Sequence, residues 1–305
     1  MKNRIVKFVC CCLTVLVAGD LYSQEKNELH IGYYYRLSDS LVKPFSDEIG
    51  KKMDLTIKLT KYTDLDLLTH DFRNEKIDLY ISNTFNFLLL KSECSNIECM
   101  ASISNADNQV FTYQSFILVR DTSKISNMDM LKKYSQNASI AFVSSSSTSG
   151  YLLPRAILKK YELDMIELSF SSYIFAGSHK NVIDKLLNGS IDVGVCSSTE
   201  LVNYFEKSTS QKEKLKTIWE SPLIPEGSLV VRKNYLLKKK LKNIVLDLHK
   251  TNPELLKNIF NLWRLKNAHH FIETKGEEYN EISTIFQSVQ ELKQFIAFYN
   301  LEENK

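Results

Sequence analysis

Residues 139–160 read SIAFVSSSSTSGYLLPRAILKK, and this stretch decides the fold. SIAFV has the composition of a buried strand, and the segment from Leu152 to Tyr161 has the apolar spacing of an amphipathic helix. Pro154 fixes where that helix begins. Proline is best accepted in a first helical turn, which puts the start within about three residues upstream of it. Ser147, Thr148, Ser149 and Gly150 therefore lie at or just before a helix N-terminus. Such a terminus carries backbone N–H groups with no partner and a partial positive charge. Hydroxyls there add donors, and Gly150 admits a close backbone approach. Strand, hydroxyl-and-glycine turn, helix is an arrangement that holds an anion. The same residues also fit a plain helix cap with solvated serines.

A second turn of the same kind follows in FAGSHKNVIDKL, residues 175–186, where Ala176-Gly177-Ser178 leads into a helix that starts near His179. Two neighbouring strand-to-helix turns aim their helix starts at one sheet edge, the place where open α/β folds take ligands. His179 suits an oxyanion either as a neutral donor or as a cation.

Outward from these turns, the chain alternates strands and helices. ELHIGYYY (28–35), LTIKLTKY (55–62) and IDLYIS (77–82) read as strands, with helices over 41–52 and about 63–74 between them. Beyond the long apolar run VFTYQSFILVR (110–120), a second set opens with SIAFV. It continues with IELSFSSYIF (166–175) as a strand, NVIDKLLNG (181–189) as a helix stopped by Gly189, and IDVGV (191–195) as a strand. RNEKIDLYISNT (73–84) and LNGSIDVGVCSST (187–199) echo one another: a helix ends, and Ile-Asp opens a buried strand that empties into small polar residues. The pattern predicts two similar α/β lobes, with IWESPLIPEGSLVVRK (218–233) returning the chain to the first. In the tail, Ile282, Ile285, Phe286, Val289, Leu292, Phe295 and Ile296 form one apolar helical stripe.

At 305 residues and 44% hydrophobic content the chain can build substantial cores, and its 9 Gly and 5 Pro leave little room for long linkers. A formal charge of +3 gives no overall footprint for nucleic acid or a membrane surface. Residues 1–23 read as a secretory signal peptide, with Lys2, Arg4 and Lys7 ahead of the apolar run FVCCCLTVLVA (8–18). Cysteines 10–12 lie inside that run, which disfavours a lipid anchor. Cleavage after Ser23 removes three cations and one carboxylate, leaving +1. Three cysteines remain. Cys94 and Cys99 are close enough for a small-loop disulfide, and Cys196 reads as a buried thiol. No spacing suggests a metal site, and His269-His270 reads as a solvated helix end.

STSGYLLPRAIL (147–158), GSHKNVIDKLLNGSIDVGV (177–195) and IWESPLIPEGSLVVRKN (218–234) occur in an order and spacing that resemble the PhnD-like substrate-binding proteins of phosphonate, phosphite and phosphate ABC transporters. YQSFILVRDTSKISNMDML (113–131) is similar to that family's crossover into its second lobe, and TKYTDLDLLTHDFRNEKIDLYIS (60–82) to its first-lobe core. The resemblance covers roughly residues 28–265.

It implies a two-lobed α/β type II periplasmic-binding fold with two hinge crossovers and a C-terminal helical extension. Lobe 1 would comprise residues 24–116 and 222–305, and lobe 2 residues 117–221. The implied function is extracytoplasmic capture of a phosphonate-, phosphite- or phosphate-type oxyanion for an ABC permease. The protein would act as a monomer, with no cofactor, no nucleic acid and no enzymatic turnover. The implied ligand contacts are Ser147, Thr148, Ser149, Gly150 and His179, with Tyr62 and Tyr113 supplying phenols.

The chain departs from the family where strand 28–35 runs into Tyr33-Tyr34-Tyr35 rather than a proline-containing loop. In PEGS (225–228), the acidic position expected to face a ligand amine falls on Gly227 with Glu226 beside it. Glu200 is a second candidate, so the ligand's other end stays open. Two rival readings keep the fold: a sensor subunit for a membrane kinase, and a hydrolase using Ser149 or Thr148 with His179. The second lacks a Gly-x-Ser-x-Gly elbow.

Overall fold

A computed structural model describes residues 27–34, 37–145, 147–206 and 213–285. The predicted signal peptide and the tail stripe from Phe286 onward lie outside the described residues. The first run is β1 (Glu28–Tyr34), α1 (Asp39–Met53), β2 (Thr56–Tyr62), α2 (Leu65–Arg73), β3 (Leu79–Ser82), α3 (Thr84–Glu93) and β4 (Ile97–Ser104). After the short β5 (Thr112–Tyr113) come β6 (Ser115–Arg120), α4 (Met128–Tyr134) and β7 (Ser139–Phe142). A π turn (Thr148–Leu152) then leads directly into α5 (Leu153–Lys160). The second run continues through α6 (Ile166–Ser169), β8 (Ser172–Phe175), α7 (His179–Leu187), β9 (Val193–Ser197), α8 (Ser198–Phe205) and β10 (Leu215–Glu220). The return passes β11 (Ile224–Pro225), β12 (Ser228–Arg232), α9 (Lys238–Leu246), α10 (Leu248–Thr251), α11 (Pro253–Leu262), β13 (His270–Glu273) and α12 (Asn280–Ile285).

The strands form one sheet per lobe. Lobe 1 has the order β13-β4-β12-β3-β1-β2, and lobe 2 the order β10-β6-β9-β7-β8. In each, three parallel strands (β2-β1-β3; β8-β7-β9) are followed by an antiparallel neighbour that arrives from the other side of the hinge (β12; β6). Helices cover both faces, so the central strands are buried at consecutive positions: every residue of β3, β9 and β12 is buried. Leu29, Ile31 and Tyr33 of β1 pack with Val42, Phe45 and Ile49 of α1 in one cluster. Leu118, Ala141 and Cys196 pack with Val182, Ile183 and Leu186 of α7 in another. A third cluster joins the lobes along the side carrying Tyr80, Tyr151, Tyr279 and Ile282.

The Ile-Asp echo has a common structural basis. Asp78 N–H donates to His30 O, while its carboxylate accepts from His30 N–H (2.9 Å) and Arg232 Nη2 (2.6 Å). Asp192 repeats this in lobe 2, donating from N–H to Ser139 O and accepting from Ser139 N–H (3.0 Å) and Arg120 Nη2 (3.0 Å). Each aspartate thus ties the strand it opens to the first parallel strand and to the returning antiparallel one.

Several expectations change. The chain crosses between lobes at β5 and β11, which pair antiparallel through Tyr113–Ile224 and Thr112–Pro225, so the first crossing precedes the 116/117 boundary. At the far end α12 (Asn280–Ile285) lies against α5 of lobe 2, while Tyr279 just before it packs on Phe87 of lobe 1, so this stretch touches both lobes rather than lobe 1 alone. The first half of IELSFSSYIF is the short helix α6, not strand. His270 opens edge strand β13, with its Nδ1 near Ser104 Oγ (3.0 Å), and is not at a helix end. Cys94 and Cys99 are free. Cys94 ends α3 with its Sγ toward Thr69 O (3.8 Å), whereas the Sγ of Cys99, on β4, faces Ala101 O (3.6 Å), so the two thiols have different neighbours.

Candidate functional site

β9, β7 and β8 lie side by side and parallel, so the helices that follow them begin at one edge of the lobe 2 sheet. Each of these helix starts is capped by a serine. Ser147 Oγ accepts from Gly150 N–H (3.0 Å), Ser178 Oγ from Asn181 N–H (3.1 Å) and Ser197 Oγ from Glu200 N–H (3.2 Å). The three partial positive charges converge on a cavity of about 360 Å3 between the lobes. Its lobe 2 wall includes Ser144, Ser147, Thr148, Ser149, Ser178, His179, Ser197 and Thr199. Lobe 1 and the hinge supply Asn83, Tyr113, Glu226 and the Trp263–Leu265 loop.

The first turn is held rigidly. Gly150 O accepts from Val143 N–H (3.0 Å), Ser149 O from Ser115 Oγ (2.6 Å), and the Tyr151 ring stacks edge-on against Phe142 and Phe175. A Cβ on Gly150 would come within 2.5 Å of the Val143 side chain. The glycine therefore serves packing against its own strand and does not line the cavity. Gly177 has a backbone reason instead, since its φ of +80° is a region that side chains disfavour. A π turn opens α5, a geometry that is rare and concentrated at functional sites. Within it, Thr148 Oγ1 is buried beside the Tyr113 phenol without meeting hydrogen-bond geometry, and the neighbouring Ser144 Oγ has no partner either. Buried hydroxyls left without a partner are exceptional and ask for a reason.

The tautomer of His179 follows from one contact. Ser197 N–H donates to Nδ1 at 3.1 Å, so Nδ1 presents its lone pair and the ring proton sits on Nε2. Burial, reinforced by the Arg264 charge, lowers its pKa to about 4. His179 is thus a neutral donor at ordinary pH, not a cation. Burial raises Glu226 to about 7; a bond from Gly227 N–H opposes the rise and the Glu200 charge adds to it. Glu200 is also raised by burial, against the pull of Arg264, whose Nη2 lies 2.8 Å from its carboxylate. The Tyr113 phenol is driven far up by burial and by Glu226, with the Ser149 and Thr148 hydroxyls pulling the other way.

Of the expected contacts, Ser147, Thr148, Ser149, His179, Tyr113 and Glu200 line this cavity, and Tyr62 does not. Tyr62 ends β2 inside the lobe 1 core, where its hydroxyl donates to Asp71 Oδ2 at 2.8 Å. The sequence reading missed the third helix start at Ser197–Thr199, although the small polar residues closing the Ile-Asp echo marked it. It also missed Ser144 and Arg264. Among the described residues, no group of three or more His, Cys, Asp or Glu is placed to hold a metal ion.

Two lobes, two crossovers and a polar cavity walled by both define a hinged solute-binding protein. The family model of ABC transporter, phosphonate, periplasmic substrate-binding proteins matches residues 36–279. The chain belongs to that family, whose members are extracytoplasmic ligand-binding components of ABC transport systems. It is 23% identical over 257 residues to a probable ABC transporter phosphite binding protein of Prochlorococcus marinus (strain MIT 9301), covering 82% of this chain and 84% of that one. Identity to the phosphonates-binding periplasmic protein of Escherichia coli (strain K12) is 25% over 260 residues, covering 79% and 72%. The solved structure of PhnD1 from P. marinus in complex with methylphosphonate aligns with TM-score 0.65 and 21% identity, covering 87% of this chain and 99% of that one. The fold is the type II periplasmic-binding fold.

Proposed function

We propose that this protein captures a tetrahedral oxyanion of the phosphonate, phosphite or phosphate type between its lobes and delivers it to an ABC permease. In this reading residues 1–23 direct export and are removed, and the mature chain works as a monomer without a cofactor. One observation carries it: three converging helix starts, a neutral imidazole donor and the buried Thr148 hydroxyl, with the Tyr113 phenol beside it, face one cavity. Ser147, Ser149 and Tyr113 complete the oxyanion's surroundings. Glu226, whose carboxyl burial raises to about 7, stands beside the anion and serves as a donor when protonated. The same histidine argues for capture without turnover. With Nδ1 occupied by Ser197 N–H and the proton on Nε2, it has no lone pair with which to activate Thr148 or Ser149.

Calorimetric titration with phosphate, phosphite, methylphosphonate and sulfate tests the reading. At least one of the phosphorus oxyanions binds, and Thr148→Val, which keeps the side-chain shape, weakens it by roughly 10- to 150-fold, the range for a hydrogen bond to a charged group. Unchanged affinity in Thr148→Val, with the variant folded, removes the site assignment.

A further inference from the structure

The cavity between the lobes continues into a second space that the anion site does not use. This side pocket, about 140 Å3, lies in lobe 1 and shares Asn83, Glu226, Trp263 and Leu265 with the main cavity. Its floor is one face of the lobe 1 sheet. Ile81, Leu229 and Ala101 are cross-strand neighbours on β3, β12 and β4, and Ile103 faces Phe271 in the next row. Ala101 is the small member among these large residues on the floor. The floor is a wall of the lobe 1 core cluster, and its volume far exceeds the ~10–15 Å3 that one water requires. At its edge Ser82 Oγ donates to Asn83 O (2.8 Å) and Gly227 O accepts from Tyr279 OH (3.0 Å), while the buried Ser228 Oγ completes no hydrogen bond. Trp263, at the junction, is fixed by its Nε1–H donation to Leu41 O (3.0 Å).

We propose that this pocket is a subsite for an uncharged alkyl substituent on the ligand's phosphorus, so the protein prefers alkylphosphonates to phosphate and to aminoalkylphosphonates. The inference rests on the oxyanion reading above and extends it to the ligand's other end. Chemistry at the junction points the same way. A ligand ammonium needs a carboxylate that no protein cation has already engaged, and Arg264 supplies that cation to Glu200 from within the chain. Arg264 thereby stands where a ligand amine would compete, and burial raises the Glu226 carboxyl to about 7, which disfavours the charged form an ammonium needs.

Titration of the mature protein with methyl-, ethyl- and propylphosphonate, 2-aminoethylphosphonate and phosphate separates the possibilities. Affinity rises along the alkyl series by roughly fourfold per methylene, the value of burying one CH2. Propylphosphonate and 2-aminoethylphosphonate differ only in a terminal methyl against an ammonium, and the propyl compound binds at least tenfold tighter. Ala101→Leu fills the pocket and removes the gain of propyl- over methylphosphonate, with phosphate as the internal reference. Should that variant fail to fold, the alkyl series in the unsubstituted protein decides alone. Propylphosphonate binding no tighter than methylphosphonate, or more weakly than 2-aminoethylphosphonate, overturns the subsite and leaves oxyanion capture standing. If phosphate, phosphite and every phosphonate fail to bind, the oxyanion reading itself falls.

Discussion

The two lobes repeat one scaffold and differ in the chemistry at their helix starts. Both order their parallel strands alike and anchor the third with a buried-strand aspartate. In lobe 1 the helix after the edge strand is capped by Asp64, whose carboxylate accepts from Asp66 N–H (2.8 Å) and Leu67 N–H (3.3 Å). Its counterpart in lobe 2, α7, is capped by the neutral Ser178. A carboxylate cap satisfies the helix dipole internally and repels anions, whereas a serine cap leaves the positive end available to an outside charge. Lobe 1 instead carries an apolar pocket on its sheet face. The proposed ligand would thus have its polarity divided between lobes that share a backbone plan, with a few side chains deciding which end goes where.

The largest expected difference is in stability. Asp78 is fully buried with Arg232, while the Asp192 side chain is 41% exposed beside Arg120. Asp78→Asn leaves the buried Arg232 with only the exposed Glu75 (2.8 Å) as ion-pair partner and costs on the order of 3 kcal/mol. The half-exposed pair is worth at most about 1 kcal/mol, and an Asn oxygen can still accept from Ser139 N–H, so Asp192→Asn costs less than Asp78→Asn. Urea unfolding of the two variants measures both. Equal losses would mean that the matching hydrogen-bond patterns do equal structural work and that burial is not what separates them.

Next in size is a transplant of the lobe 1 cap. Ser178→Asp places a carboxylate at a cavity-lining helix start, where two unit charges about 4 Å apart at an effective dielectric of 20 repel by about 4 kcal/mol. Affinity for methylphosphonate falls by on the order of a hundredfold or more, while thermal stability holds or rises because the new cap suits the helix dipole. Asp64→Ser in lobe 1 leaves affinity unchanged. Binding that survives Ser178→Asp would show that the anion does not approach α7.

How much of this was legible beforehand follows the same division. The lobe 2 site announced itself because proline, glycine and serine have narrow backbone uses, so Pro154 and the Gly177-Ser178-His179 turn located two helix starts. The Ile-Asp echo exposed the repeated scaffold for a similar reason, since a charged residue opening an apolar strand needs a specific partner. Segments without such punctuation stayed hidden. Thr84 through Leu90 of α3 are all buried, so no amphipathic stripe marks that helix. Tyr62 was misplaced because an aromatic at a strand end has the same pattern whether it faces a cleft or a core. Arg264 follows α11 in a left-handed conformation (φ 62°), and nothing local ties it to Glu200, which precedes it by a whole lobe crossing.

The smallest effect concerns protons, where two cavity groups oppose each other. His179 titrates near 6.5 when unfolded and at about 4 when folded, so between those values the unfolded chain holds the extra proton and stability falls as pH drops. Glu226 titrates near 4.5 when unfolded and at about 7 when folded, so between those values the folded protein holds the extra proton and stability falls as pH rises. From about pH 4.5 to 6.5 the two contributions cancel, one proton gained against one lost. Each singly accounts for a slope of at most about 1.4 kcal/mol per pH unit. Glu226→Gln therefore makes stability, measured without ligand, climb more steeply with pH across this window than in the unsubstituted protein. His179→Gln makes it climb less steeply or decline, and the double variant restores the original slope because all other groups are common to the series. If the two single variants instead changed the slope in the same direction, the hinge carboxyl and the lobe 2 imidazole would not differ in the way their surroundings require.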